Sequence, residues 1–220
     1  RMFKNSEEDI LNRGIEFSLI SVFSKKLRVG IIGAGRGGFI KAKHFFNQGC
    51  LVEVLAKEIG EEFKQFKGEN IQIYKKEYDK NFIKNKHLVI IAIDDKNKKE
   101  EIKRDCEEES RIYIDSTEFM EGMGSIPMQK DLKNIVVGVN TRRGNPKGSR
   151  FIAQKVEEEL LKYDDFIGYT TILRNRCKDS SIKKVLTDFI STEDFFFFYK
   201  IKKSNIILKM FFKEKDFNNE

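Results

Sequence analysis

Long hydrophobic runs are missing from this 220-residue chain. A membrane-spanning helix needs ~20 consecutive apolar residues, whereas the longest apolar stretch runs only from Leu88 to Ile93. No membrane partner is expected. The opening residues, Arg1 to Ile10, are polar and acidic rather than basic and then apolar, so nothing reads as a secretory signal. A start at Arg1 rather than Met suits a fragment or a processed chain. Histidine is almost absent. His44 and His87 are the only two, and neither has a partner at metal-ligand spacing. Both are read as structural or surface residues, which sets aside the usual imidazole base and most zinc hydrolase chemistry. Three cysteines, Cys50, Cys106 and Cys177, are an odd number at irregular spacing. They form neither a disulfide framework nor a zinc pattern, and no metal site is expected. A reducing cytoplasm is the simplest location.

Charge is present in both signs. Lys and Arg total 42 against 35 Asp and Glu, a formal charge of +7. Such an excess suits nucleic acid, a membrane surface or a small polyanion. Lysines are interspersed with glutamates, as in Lys96 to Glu109, so the plain reading is a solvated surface. No basic helix interleaved with aromatics occurs in a recognition pattern, so a nucleic-acid partner is not expected.

The first half alternates short β-rich runs with longer amphipathic segments, the pattern of a parallel sheet with crossover helices. Leu27 to Ile32 is an apolar run. A glycine loop follows it, then a helical pattern from Gly38 to Gln48 that Gly49 ends. Leu51 to Ala56 is a second strand, leading into a helical stretch with Phe63 and Phe66, and Ile71 to Tyr74 is a third. Leu88 to Ile93 is continuously hydrophobic, which places it mid-sheet with both faces covered. Lys96 to Glu109 reads as a charged helix, and Arg111 to Ile114 as a strand ending in Asp115. Beyond Asp115 come glycines, Pro127, the strand-like Ile135 to Val139 and a basic loop from Asn140 to Arg150. Asn145-Pro146 suits a cap and first turn. Helical spacing then takes over from Phe151, with Thr192-Glu193-Asp194 as a later cap. The aromatic run Phe195 to Tyr199 and the apolar run Ile206 to Phe212 fit a helical pair better than a hairpin. The expected domains are 1–117, 118–150 and 151–220.

Gly33-Ala34-Gly35-Arg36-Gly37-Gly38 matches G-x-G-x-x-G between a strand and a helix. In that setting the first glycine makes a tight turn, the second lets a pyrophosphate approach and the third lets helix pack on strand. The anion lies at the helix N-terminus, where free N–H groups and the dipole favour it. The same fingerprint expects an acid at the end of the second strand to hold the ribose hydroxyls. That place falls beside Lys57 and Glu58; Glu58 would favour NAD and Lys57 would tolerate NADP, and both readings stay open. Glu53, inside the strand, is read as facing an edge or solvent.

Ligands of an open α/β sheet bind beyond the carboxyl ends of the strands. Asp94, Asp95 and Asp115 lie there and are the acid–base candidates. Asp115-Ser116-Thr117 reads equally well as a turn cap. Arg142, Arg143, Lys147 and Arg150 could grip carboxylates, or simply form a solvated turn.

Five stretches in this order resemble the precorrin-2 dehydrogenase family, which includes the N-terminal module of siroheme synthase. They are Phe17 to Gly38, the helix with Lys41-Ala42-Lys43, Ala92 to Asp95, Ile112 to Pro127, and Ile135 to Pro146. The resemblance covers about residues 17 to 160. It implies a Rossmann-type parallel sheet, a small central dimerisation segment and a C-terminal helical domain, assembled as a homodimer. It also implies NAD-dependent oxidation of the tetrapyrrole precorrin-2 to sirohydrochlorin, towards siroheme or cobalamin. Bifunctional members insert iron or cobalt as well, as a ferrochelatase does. Asp115 matches the essential aspartate of the family, guiding or accepting the proton lost in the reaction. Cofactor contacts would fall to Gly33, Gly35, Arg36, Gly37, Gly38, Lys57, Glu58 and Asp94. A polycarboxylate substrate would suit Asn140, Thr141, Arg142 and Arg143. This chain departs from the family pattern at Ile93, where threonine is usual, and at Asn140-Thr141, where some members have a serine pair. It also carries about two residues more between the aspartate and Pro127, and no methyltransferase half. The alternative is a regulatory Rossmann module that senses a dinucleotide without turning it over.

Overall fold

The computed structural model describes residues 15–214 and 217; the polar start, Arg1 to Ile10, lies outside them. Of these, residues 15–126 together with Arg142–Gly144 form one compact unit, and Pro127–Thr141 with residues 145–214 and 217 form another.

The first unit is built on five parallel strands: β1 (Arg28–Ala34), β2 (Leu51–Ile59), β3 (Ile71–Lys75), β4 (Leu88–Ile91) and β5 (Ile112–Asp115). Their order is β3-β2-β1-β4-β5. This is the doubly wound arrangement, and the strand order reverses between β1 and β4. As the hydrophobic run suggested, β4 is internal, paired to β1 and β5, with Val89, Ile90 and Ile91 fully buried.

Side chains alternate across the sheet, so each face has its own core. Val29 and Ile31 of β1, Val52 and Val54 of β2, Ile90 and Ile114 pack with Ala42 and Phe45 of helix α1 (Arg36–Asn47). Ile32, Val89, Ile91 and Tyr113 point the other way, against Ile102 and Cys106 of helix α2 (Lys96–Glu108). Each fully buried aliphatic side chain contributes about 1.5–3 kcal/mol. Asp115 shares the parity of Tyr113 and therefore faces α2.

Three local expectations change in this unit. The segment after β2 is a short 3-10 helix, Glu61–Gln65, rather than an α-helix. Phe63 and Phe66 still pack inward, against Phe39, and Phe66 also meets Phe46. Glu53 does not face an edge, because β2 is flanked by β1 and β3. Its partner in register is Gly30, and the gap left by that missing side chain admits Lys86, whose Cγ lies 3.0 Å from where a Gly30 Cβ would stand. Lys86 is 2% exposed and pairs with Glu53 at 3.0 Å. The charged helix α2 is not solvated on all sides either, since Lys99 and Lys103 are buried on it.

The second unit opens with an antiparallel pair, β6 (Met128–Asp131) and β7 (Val136–Val139). β7 matches the expected strand; β6 was not foreseen. Five helices follow among the described residues: α3 (Pro146–Leu160), α4 (Asp164–Arg176), α5 (Ser180–Ile190), α6 (Glu193–Lys200) and α7 (Ser204–Phe211). Asn145 caps α3 by accepting the Gly148 N–H at 2.8 Å, with Pro146 in the first turn. Thr192 caps α6 through the Phe195 N–H at 3.2 Å. The two apolar runs of the tail are thus a helical pair, and Phe195 and Phe196 join Phe166, Leu186, Ile190 and Leu208 in the core of this unit. Buried Asp164 accepts the N–H groups of Asn134 (2.8 Å) and Lys133 (3.2 Å), which ties the β-hairpin tip to α4.

Candidate functional site

The glycine loop carries its four glycines in two different roles. Gly33 has φ +109°, and a Cβ there would lie 2.2 Å from the Ala92 carbonyl oxygen. At Gly38 a Cβ would lie 2.0 Å from the Gly33 oxygen. Only glycine fits at either place, so these two let α1 pack tightly on the ends of β1 and β4. Around Gly35 and Gly37 a Cβ would meet nothing within 4 Å. Their bare backbone faces open space.

Gly35 is the N-cap of α1, with no side-chain cap, and no acid stands in the first turn. The first N–H groups of the helix are therefore left for an anion, with the helix dipole favouring it. Arg36, exposed at the first helical position, adds positive charge.

This turn opens onto a cavity of about 770 Å³ at the carboxyl ends of β1 to β4. Gly33 to Gly35 form one wall, Ala56 to Gly60 another, and Ala92 to Asp95 a third. The end of β2 bulges: Ile32 pairs with Leu55, yet Ala34, two residues on, pairs with Ile59. The two additional residues in β2 bring Lys57 and Glu58 to the cavity wall. Lys57 is bound to Glu77 at 3.0 Å. Glu58 forms no ion pair among the described residues and is exposed to the cavity. Asp94 lines the cavity as well, while Asp95 caps α2 by accepting the Lys98 N–H at 3.0 Å.

Four wall residues, Lys76, Glu77, Tyr78 and Lys98, were not singled out from the sequence. The same strand-end rule that pointed to Asp94 points to the first three, just past β3.

Asp115 does not line this cavity. It is 2% exposed, and its Oδ1 accepts the N–H groups of Thr117 and Glu118, each at 2.9 Å, and the Thr117 hydroxyl at 2.8 Å. The turn-cap reading of Asp-Ser-Thr thus describes its local geometry. Oδ2 faces Lys103 Nζ at 3.2 Å, an ion-pair distance away from hydrogen-bond alignment. Burial pushes the Asp115 carboxyl up, but the Glu118 and Thr117 donors and Lys103 outweigh it and hold the group below the ordinary carboxylate range.

The residues of the basic loop divide between the two units. Arg142 and Arg143, both exposed, belong with the first; Asn140 and Thr141 belong with the second. The Thr141 hydroxyl accepts the Asn145 N–H at 2.7 Å and so helps to fix the start of α3. Among the described residues no group of three or more His, Cys, Asp or Glu could hold a metal ion, and no helix is long and apolar enough to cross a membrane.

An uncapped helix start behind a G-x-G-x-x-G turn, open to a cavity at the switch point of a parallel sheet, defines a Rossmann-type protein that binds a nicotinamide dinucleotide. Comparison with known proteins agrees. Residues 20–122 match a family model described as "Putative NAD(P)-binding". A "Putative precorrin-2 dehydrogenase" of Methanocaldococcus jannaschii is 26% identical over 184 residues, covering 76% of this chain and 87% of the relative. The solved structure titled "SirC, precorrin-2 dehydrogenase" superposes with a TM-score of 0.67 at 15% identity, over 88% of this chain and 98% of that one, a likeness of fold. Over most of its length the chain is thus similar to a precorrin-2 dehydrogenase.

Proposed function

We propose that this protein oxidises precorrin-2 to sirohydrochlorin with NAD as hydride acceptor, towards siroheme or cobalamin. The observation that carries the reading is the cradle of Gly35 and Gly37 at the uncapped start of α1, where bare backbone and free N–H groups suit a pyrophosphate. Bound there, the dinucleotide supplies an acceptor for two electrons and one hydrogen. Precorrin-2 and NAD⁺ then give sirohydrochlorin, NADH and one proton, which balances.

Each part of the site has a task in this scheme. Gly33 and Gly38 hold the loop in shape, and Asp94 flanks the nicotinamide side of the cavity. Arg142 and Arg143, exposed and cationic, suit the carboxylates of the substrate through charge-assisted hydrogen bonds, with Asn140 and Thr141 next to them in the chain. Asp115 is the aspartate of the reaction. Its support is the carboxyl end of β5, directly beside β4, whose following residues line the cavity.

NAD is preferred to NADP in this reading because Glu58 presents to the cavity a carboxylate with no ion-pair partner among the described residues, while Glu77 occupies Lys57. A carboxylate accepts hydrogen bonds from ribose hydroxyls and repels a 2′-phosphate. Glu58→Gln is therefore expected to raise KM for NAD by about tenfold, one lost charge-assisted hydrogen bond, and to improve the relative use of NADP. Equal KM values for NAD in variant and wild type would assign ribose recognition elsewhere.

A homodimer is part of the proposal, through the segment 118–150. Its support is that β6 and β7 form a sheet of two strands, which is marginal by itself, and that Val136 is 67% exposed. A reducing cytoplasm suits three free, buried cysteines. The deciding experiment is an anaerobic assay with precorrin-2 and either NAD or NADP, following NADH and the sirohydrochlorin spectrum together. Stoichiometric formation of both supports the dehydrogenase, and iron or cobalt added to the product then tests insertion. Dinucleotide binding with no oxidation would make the chain a sensing module.

A further inference from the structure

Two buried cations on α2 are unused by the dinucleotide site. Lys99 and Lys103 are 3% and 6% exposed. Four residues apart, they lie on one face of the helix, and both reach the end of β5. Lys103 Nζ is 3.2 Å and Lys99 Nζ 3.7 Å from Asp115 Oδ2. Lys99 also donates to Thr117 Oγ1 at 2.8 Å and to Glu118 Oε1 at 3.2 Å. Thr117 donates its own hydroxyl hydrogen to Asp115 Oδ1, so Lys99 holds both the carboxylate and the turn that caps it. Glu100 at 3.1 Å and Glu121 at 3.9 Å complete the charges around Lys103.

Stability alone does not account for this cluster. Oδ1 is already satisfied by three donors, and taking an ammonium group out of water costs several kcal/mol before the ion pair offsets it. Apolar side chains of like volume in such places are often neutral or stabilising. The location is suggestive as well: the Ser116 N–H donates to the Ile91 carbonyl at 2.9 Å, and Ala92 to Asp95, which follow Ile91, line the cofactor cavity.

We propose that Lys99 and Lys103 are positioning residues, which clamp Asp115 from successive turns of α2 as a fixed anion, so that it serves the reaction by its charge and does not store the released proton. The inference rests on the dehydrogenase reading for its chemistry. A substrate carbon that gives up hydride gains positive charge, and a preorganised carboxylate favours that charge without reorganising. The proton lost afterwards goes to solvent.

The test combines two measurements on the full chain. Carboxyl carbon NMR, with Asp115 assigned from Asp115→Asn, follows its titration in the wild type, Lys103→Met and Lys103→Arg. The wild-type carboxyl is expected to titrate below the ordinary value, Lys103→Met to move it up by about one pH unit or more, and Lys103→Arg to restore it. In the precorrin-2 assay the acid limb of kcat/KM should move up in step for Lys103→Met, with about tenfold lower kcat/KM near that limb and an unchanged Kd for NAD. The carboxyls of Glu118 and Glu121, which face the same lysines, are followed in the same spectra.

A wild-type Asp115 that titrates at or above the ordinary value overturns the clamp, and so does a titration unmoved in folded Lys103→Met. If Lys103→Met does not fold, the wild-type titration decides. An acid limb that stays put while the NMR titration moves overturns the catalytic role. A clamped Asp115 in a chain that binds NAD yet never oxidises precorrin-2 removes the dehydrogenase reading, and the catalytic role with it.

Discussion

Asp115→Ala is expected to lower stability by about 3–5 kcal/mol, the usual result of removing one partner from a buried charge cluster. The cause is the pair left behind, since Lys99 and Lys103 are 3% and 6% exposed and would lose their innermost counterion. The turn at Thr117 and Glu118 would also lose the acceptor of its N–H groups. Asp115→Asn separates charge from shape: its amide oxygen still accepts those N–H groups, so the turn is kept and the loss is smaller, while the two lysines lose the same counterion. This variant should stay folded, bind NAD as before and lose about 10²–10⁴-fold in kcat. Urea unfolding and the anaerobic assay measure the two effects independently. Full turnover by Asp115→Asn would leave the residue with only its role in the turn.

The Glu118 and Thr117 donors and Lys103 hold the wild-type carboxyl below its ordinary value against the effect of burial, so its contribution to stability is expected to be complete above the unfolded value of about 4. That contribution disappears as pH falls through the lower, folded value. Acid unfolding of Asp115→Asn should lack this component.

The second large effect belongs to Gly33. Gly33→Ala forces a Cβ to 2.2 Å from the Ala92 oxygen at a φ of +109°, a region that side chains avoid. Backbone strain of about 1–3 kcal/mol and overpacking of about 1–3 kcal/mol together predict a loss of roughly 2–6 kcal/mol, and dinucleotide binding should fail with it. Gly35→Ala is the contrast. Its Cβ would meet no protein atom within 4 Å, so the melting temperature should hold while the methyl takes space needed by a pyrophosphate. Thermal melts with and without NAD distinguish the two variants. A Gly35→Ala protein with wild-type NAD affinity would place the pyrophosphate away from this loop.

Much of the first unit is legible in the residues. The run from Leu88 is hydrophobic throughout because β4 is covered on both faces. The spacing of Gly33, Gly35 and Gly38, set between an apolar run and a helical pattern, marks a strand-to-helix turn. The segment after β2 misleads for a geometric reason. Phe63 and Phe66 have helical spacing, but only residues 60–70 separate β2 from β3, and a parallel crossover usually needs a dozen or more. Strand β6, Met-Gln-Lys-Asp, has no β-branched residue, so its pairing with β7 defines it rather than its own propensity.

The lysine pair was hidden by composition. In a helix this rich in Lys and Glu each cation looks solvated, yet Lys99, Ile102, Lys103 and Cys106 fall on a single face. If Ile102 and Cys106 turn inward, the two lysines must go with them. That inference needs the sheet, because only the parity of β5 tells which side Asp115 presents. The arginines of the basic loop belong with one compact unit and Asn140 and Thr141 with the other, a division that the linear sequence does not reveal.

Each of the three hydrophobic clusters encloses one cysteine. Cys50 lies in the core on the α1 face of the sheet, Cys106 in the core on the α2 face, and Cys177 in the helical core of the second unit. All three are buried and free. Burial pushes the Cys106 thiol up to about 12 and raises that of Cys50, so little thiolate exists at neutral pH while these cores stay closed. The molecule therefore contains its own set of opening sensors: an alkylating reagent that reaches one thiol before the others would reveal, by the mass of the labelled peptide, which core breathes first.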